Sequence, residues 1–352
     1  MSTLNVLTKT KNSLNRVCWQ ELNCTYRLTS TQVQNGRTPK TLLNFSDHEA
    51  AFRSKRTGEL VRACTILAAC SSDRLVDNAH TLLHEGERWL GSRLFGALMR
   101  YTLYAQFVAG ETGPAVPQTA RALRQQGEEA MKRDLRLTVD MEWSYVNPMC
   151  SVLASALMVV FNGRSPVVCS TVQCYLKNAL ATLAQEEQVA RLSGVCYGAK
   201  LVRGAYLERE RQVAPNVVCN SYQDTSKNYN TVMESGVKNA LHTEEGRYFL
   251  IVATHNEAAV HAATRLLAAQ DATRTRNVAF AQIYGMAEHI SLPLSQNGFC
   301  VYKSVAFGSL SKVLPYLARR AAENRAIMQG ARRERQLLQN EISRRIRARL
   351  HF

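Results

Sequence analysis

Gly198-Ala199-Lys200-Leu201-Val202-Arg203-Gly204-Ala205-Tyr206-Leu207-Glu208-Arg209-Glu210-Arg211 is the stretch on which the reading of this chain turns. Ala199 to Val202 reads as a buried strand. Gly204 and Ala205 follow, small residues that let another group approach the backbone closely. Lys200, Arg203 and Tyr206 gathered around that step suit an active-site edge at the C-terminal end of a barrel strand. A plainer reading stands beside it, in which this is a basic strand end with salt bridges to Glu208 and Glu210.

Outward from this stretch, strand and helix patterns alternate. Apolar runs at Leu135–Met141, Pro166–Val172, Cys196–Val202, Tyr248–Thr254, Val278–Ile283 and Phe299–Val305 are separated by helical patterns such as Gln173–Leu192 and Glu257–Ala269. That alternation implies a parallel sheet with right-handed crossovers. Polar residues collect where the strands end: Asp140 and Glu142, Gln173, Arg203, His255 and Asn256, Gln282, Lys303 and Ser304. The shared bias favours a (β/α) barrel, whose chemistry sits on that face. A doubly wound sheet is the alternative, but no glycine-rich phosphate turn follows Met141 and there is no Walker motif.

The chain has 352 residues, of which 46% are hydrophobic, enough for a sizeable core. Its net charge of +16 suggests anionic partners, whether nucleic acid, lipid head groups or small anions. No nucleic-acid motif or aromatic platform is evident, so nucleic acid is not an expected partner. Ten cysteines show no C-x-x-C pair and fit a reducing compartment. Residues 1–40 carry six basic residues against Glu21 alone and resemble a mitochondrial transit peptide, with a disordered basic tail as the alternative. Residues 41–127 read as a helical preamble. Ser46 with Glu49 suggests a capping box, and Leu60, Cys64 and Leu67 share one helical face, as do Leu94, Leu98 and Tyr101. The barrel domain is expected over 128–330, with a basic helix over 331–352. From Arg325 to Phe352 eight arginines face only Glu334 and Glu341, which suits an anionic membrane surface or packing on the barrel.

Each polar cluster has two readings. His255 and Asn256 suit a ligand-binding strand end or a helix N-cap with a structural histidine; no second histidine stands at metal-ligand spacing, and no metal is expected. Asp140 and Glu142 suit acid–base work or pairing with nearby cations. Arg319 and Arg320 suit bidentate capture of a carboxylate or phosphate, or a solvated helix face.

Four motifs in order now carry a resemblance: Lys200 to Tyr206, Thr254-His255-Asn256, Gln282 to Met286, and Arg319-Arg320 with Glu323-Asn324. Together they are similar to the proline dehydrogenase family over about Asn44 to Gln339. The resemblance implies a mitochondrial (β/α) barrel that oxidises a cyclic amino acid beside its nitrogen and passes electrons through FAD to a quinone. By resemblance, Arg319 and Arg320 pair with the substrate carboxylate, and Tyr206 and Ile283 pack on its ring. Lys200 would lie near the reactive flavin nitrogen, with Gln173 and Gln282 near the flavin ring. Arg203, Gly204, Ala205, Thr254, His255, Asn256 and Glu323 would hold the rest of FAD. Asp140 would position groups or accept a proton.

Two departures matter. Where most members resemble Val-Tyr-Lys-Tyr, this chain has Val301-Tyr302-Lys303-Ser304. A serine there resembles the hydroxyproline-oxidising branch, with proline as the alternative substrate. Leu135–Met141 also follows Phe107-Val108-Ala109-Gly110 too closely for a complete eight-stranded barrel. The family's first two strands are therefore expected to be missing, leaving two open edges and an inactive relative as a further alternative.

Overall fold

The computed structural model describes residues 4–8, 23–28, 43–70, 115–145, 147–204, 206–268, 275–306 and 328–350. Its strands are β1 (Leu4–Thr8), β2 (Asn23–Leu28), β3 (Arg136–Val139), β4 (Val168–Gln173), β5 (Tyr197–Val202), β6 (Tyr248–Ala253), β7 (Val278–Ile283) and β8 (Cys300–Val305). Strands β3 to β8 pair in sequence order, each parallel to the next. Every apolar run expected as a strand is one, with ends shifted by at most two residues.

The two remaining places are filled from the first forty residues, which closes the barrel in the order β1-β2-β8-β7-β6-β5-β4-β3. β1 runs antiparallel to β3, with Leu4 opposite Val139, and β2 antiparallel to β8, with Thr25 opposite Ser304. This differs from the sequence expectation of a transit-like or disordered segment beside two open edges. An edge strand presents a row of unpaired N–H and C=O groups, which an extended segment of the same chain can satisfy. A (β/α)8 repeat would supply parallel strands at these places; both substitutes run the other way against their barrel neighbours.

The described helices are α1 (His48–Phe52), α2 (Thr57–Cys70), α3 (Ala115–Lys132), α4 (Asn147–Phe161), α5 (Ala179–Leu192), α6 (Leu207–Val213), α7 (Tyr222–His242), α8 (Glu257–Ala268), α9 (Glu288–Gln296) and α10 (Met328–Leu350). Asp47, not Ser46, caps α1: its carboxylate accepts the Ala50 N–H at 3.0 Å. Helix α3 runs through the boundary expected at 127/128. Gly127 sits against the Phe161 ring, where a Cβ would collide, so α3 belongs with α4 to the barrel wall. The Leu94, Leu98 and Tyr101 face lies outside the described residues.

Strand alternation divides the core in two. Leu137, Val168, Val172, Ala199, Leu201, Leu250, Val252, Phe280 and Val301 pack outward under the helices. Inside, Cys169, Phe249, Ile251, Ala279 and Tyr302 form a separate small cluster bordered by Ala253, Ala281 and Cys300. Gly198 is required there, since a Cβ would lie 2.6 Å from Cys169 Sγ and 2.8 Å from the Val168 carbonyl.

At the N-terminal end of the barrel two buried asparagines satisfy backbone groups where elements meet, Asn162 around the starts of β4 and β5 and Asn277 at the C-terminal end of α7 and the turn before β6. Asn162 donates to the carbonyls of Val168 (2.8 Å) and Cys196 (3.0 Å) and accepts from the N–H groups of Val167 (3.0 Å) and Val168 (2.8 Å). Asn277 donates to Ala240 O at 2.9 Å and accepts from Gly246 N at 2.9 Å.

Helix α10 is docked, not free. Leu337 and Leu338 are buried with Phe52, Leu60, Leu67 and Leu292, and Ile342 packs on the same cluster. Buried Glu334 accepts the first N–H groups at α9, from Ala287 (2.7 Å) and Glu288 (2.6 Å). His289 stands between Glu257 (3.1 Å) and Glu334 (3.7 Å), and Arg333 reaches Glu257 at 2.8 Å. The expected 331–352 helix therefore starts at Met328 and forms part of the barrel's surround.

Candidate functional site

The C-terminal ends of β3, β4 and β5 bring together three residues the sequence singled out. Lys200, on the inner face of β5, makes an ion pair with Asp140, one residue past the end of β3. Their side chains are only 14% and 18% exposed. The partner of Lys200 is thus a carboxylate sixty residues away, whereas Glu210, near it in sequence, accepts from the Ser144 N–H. Thr171, inside β4, donates to the same Asp140 oxygen at 3.4 Å. Gln173 closes this group: its amide donates to Met141 O at 2.5 Å and accepts from Asn147 Nδ2 at 2.6 Å. With both ends held, that amide is a rigid part of the wall.

Across the mouth, register pairs Ile283 with Ser304, and alternation turns both inward at the ends of β7 and β8. Small Ala253 and Ala281 border the floor between them and Lys200. The mouth therefore has a charged, polar side on β3–β5 and a neutral side on β7–β8.

Around the rim, Tyr206 stacks obliquely on Trp143, with ring centroids 5.1 Å apart. Arg203 donates to the Ser226 hydroxyl and lies over two aromatic rings, Tyr222 at 5.0 Å and Tyr229 at 5.7 Å. Gly204 has open space where a side chain would be, apart from Leu207 at 3.8 Å. Asn256 is the N-cap of α8, accepting from Ala259 N at 2.9 Å, and its own N–H is held by Thr254 Oγ1 at 3.1 Å. His255 Nε2 accepts the Ile283 N–H at 3.1 Å. Burial and, after it, the charge of nearby Lys303 lower its pKa to about 4, so the imidazole is neutral at physiological pH.

Gln282 stands apart from the inner wall. Its amide donates to Thr254 O at 3.4 Å and accepts from Ser291 Oγ of α9 at 2.8 Å, which puts it on the outer side of β7. Alternation explains the placement, because its neighbour Ile283 takes the inward position. Ala205, Arg319, Arg320 and Glu323 lie outside the described residues.

Three further residues shape the rim. Lys303, buried on the outer side of β8, donates to Met286 O at 2.6 Å and pairs with Glu288 at 3.1 Å; burial pulls its pKa down. Buried Glu210 accepts the Ser144 N–H at 3.1 Å and ties α6 to the loop after β3. Trp143 carries no spacing signal in the sequence and Glu210 only its nearness to Lys200, whereas Lys303 stands among the polar residues at strand ends that the sequence singles out, without a role attached to it.

The proline dehydrogenase family profile matches residues 28–333. Hydroxyproline dehydrogenase of Xenopus laevis is 38% identical over 234 residues, covering 65% of this chain and 50% of that protein. The Bos taurus protein of the same name is 30% identical over 440 residues, covering 88% of this chain and 95% of its own length. That alignment is longer than the whole chain, so the relative carries an internal stretch that is missing here. Human "Proline dehydrogenase 1, mitochondrial" is 38% identical over 226 residues, covering 62% of this chain and 37% of that protein. Among solved structures, proline utilization A from Bradyrhizobium japonicum matches with a TM-score of 0.54 at 23% identity, over 64% of this chain and 24% of that one, a likeness of fold alone. With three of its motifs set at the ends of β5, β6 and β7 and the profile covering most of its length, the chain belongs to the proline dehydrogenase family of oxidoreductases.

Proposed function

We propose that this chain oxidises trans-4-hydroxy-L-proline to the corresponding pyrroline carboxylate, with FAD as cofactor and a quinone as acceptor. The observation that carries the reading is the inner wall of the mouth, where the Lys200–Asp140 pair faces a wall ending in Ser304 and Ile283. The donor set fits a flavin dinucleotide, with Lys200 for the ring edge and Arg203 for the phosphates, while Gln173, its amide engaged on both sides, shapes the wall the ring would lie against. Bound there, FAD would supply the two-electron acceptor for hydride leaving the ring carbon next to nitrogen. The chain's own residues bind and orient. Arg319 and Arg320 hold the carboxylate, Tyr206 and Ile283 bracket the ring, and Asp140 keeps the Lys200 ammonium in place.

Ser304 sets the substrate. A tyrosine at this position would crowd a 4-hydroxyl, whereas serine leaves room and offers a hydrogen bond worth about 0.5–1.5 kcal/mol. That corresponds to a preference in kcat/KM for hydroxyproline over proline of roughly twofold up to tenfold. Ser304→Tyr is expected to reverse the order, measured with both amino acids and a quinone or dye acceptor. A wild-type preference for proline, or an unchanged ratio in the variant, contradicts the role given to Ser304. The identity to hydroxyproline dehydrogenases supports the same substrate.

A mitochondrial location is part of this reading, supported by the mitochondrial human relative. Contact with an anionic inner-membrane surface would run through exposed α10 residues such as Arg332 and Arg347, because Leu337 and Leu338 are committed to packing and Arg333 and Arg344 to ion pairs. No helix among the described residues is long and apolar enough to cross a membrane. Flotation with liposomes is therefore expected to need anionic lipid and to be lost as salt is raised. Flotation on neutral vesicles at high salt would rule out this electrostatic contact.

A further inference from the structure

Tyr222, the first residue of α7, is 52% exposed beside the ends of β5 and β6, and nothing proposed above uses it. It is held at several points. Ser221 caps the helix by accepting Asp224 N at 3.0 Å, which fixes where Tyr222 begins the first turn. Its carbonyl accepts from Ser226 Oγ at 2.8 Å, and its hydroxyl accepts from Asn256 Nδ2 at 3.3 Å. The Arg203 guanidinium lies 5.0 Å from its ring centroid and is itself fixed by Ser226. The result is an aromatic ring kept in water, immobilised, with a cation at its side.

Such a ring suits stacking by a planar heteroaromatic group, and the neighbouring guanidinium suits the phosphates that accompany one. Position decides which planar group. The flavin ring must reach Lys200 and Ser304 inside the mouth, whereas Tyr222 stands outside the strand ends on a helix. Arg203, at the end of β5, lies between the two places. We propose that Tyr222, with Arg203 and Asn256 beside it, is the seat of the adenine end of the dinucleotide; this rests on the reading that the chain binds FAD.

Equilibrium titration of the apoprotein with FAD, FMN and ADP tests this without turnover. Tyr222→Ala is expected to weaken FAD and ADP by about tenfold or more, the range of aromatic stacking on a base. FMN, which lacks adenine, should bind the variant as it binds the wild type. Tyr222→Phe keeps the ring and should retain FAD binding. Unchanged ADP and FAD affinities in Tyr222→Ala overturn the proposal, as does an equal loss for FMN, which would mean that the ring acts only by placing Arg203. A wild-type chain that binds neither flavin overturns both this proposal and the cofactor reading beneath it.

Discussion

Lys200→Met is expected to lower kcat for hydroxyproline by about 10²–10³-fold while the protein stays folded. Removing one preorganised charged donor from the place where charge develops has an effect of that order. The structure makes the group preorganised: Lys200 is mostly buried and ion-paired with Asp140, which also accepts from Thr171. Asp140→Asn should cost less, because the cation survives but loses its anchor. In a double-mutant cycle the two losses should not add, since each variant breaks the same pair. Steady-state rates with a dye acceptor and flavin content per chain are the measurements. A Lys200→Met enzyme with wild-type kcat and full flavin content would remove Lys200 from the chemistry and leave a structural ion pair.

Stability should respond most strongly at Glu341. Its side chain is fully enclosed and accepts from Arg344 (2.9 Å), Arg345 (2.7 Å) and His48 (3.1 Å). Arg345 also donates to Lys55 O at 2.7 Å and Phe52 O at 3.0 Å, which fastens α10 to α1 and the turn before α2. Glu341→Ala leaves Arg345 without its anionic partner, at a cost of roughly 3–5 kcal/mol, the range for breaking a buried pair. Chemical denaturation followed by circular dichroism would show it. The hydrogen bond from Arg344, followed by that from Arg345, holds the Glu341 pKa down at about 2. A carboxylate depressed on folding stabilises the fold above its ordinary pKa, and that contribution is lost as pH falls through the folded value. The wild-type chain should therefore lose stability between about pH 4.5 and about pH 2. The variant should lack this part of the acid profile; matching profiles would mean that the pair contributes little.

The barrel was legible because its strands are apolar runs closed by polar residues, so β3 to β8 emerge with their ends nearly in place. The ion pair was not legible. Asp140 and Lys200 lie sixty residues apart, and only the barrel's curvature brings them together, while Glu208 and Glu210 are near in sequence but belong to the next helix. Gln282 shows the limit of motif transfer: it sits in a matching motif, yet the two-residue period of β7 turns it outward. Helix α10 was legible only as a pair of readings, membrane surface or packing on the barrel, because eight arginines in its region stand beside the few apolar positions that decide its docking. Tyr222 left no mark because an exposed aromatic at a helix start has no periodicity. The first forty residues read as unstructured because their strands are short and gain partners only from each other and from the distant edges of β3 and β8.

Asn162 is followed by Gly163, the pairing in which an asparagine side chain is most readily attacked by the next backbone nitrogen and ages to aspartate. In the folded chain that amide is sealed, with both ends engaged by the ends of β4 and by Cys196. The attack needs a rotation that these four bonds forbid. Folding therefore sets the chemical lifetime of this bond: a chain that lingers unfolded converts a double donor into a carboxylate, which can no longer serve the Val168 and Cys196 carbonyls. Only unfolding that lasts as long as this slow reaction becomes partly irreversible, and the barrel's bottom end then keeps a record of how long the molecule has been open.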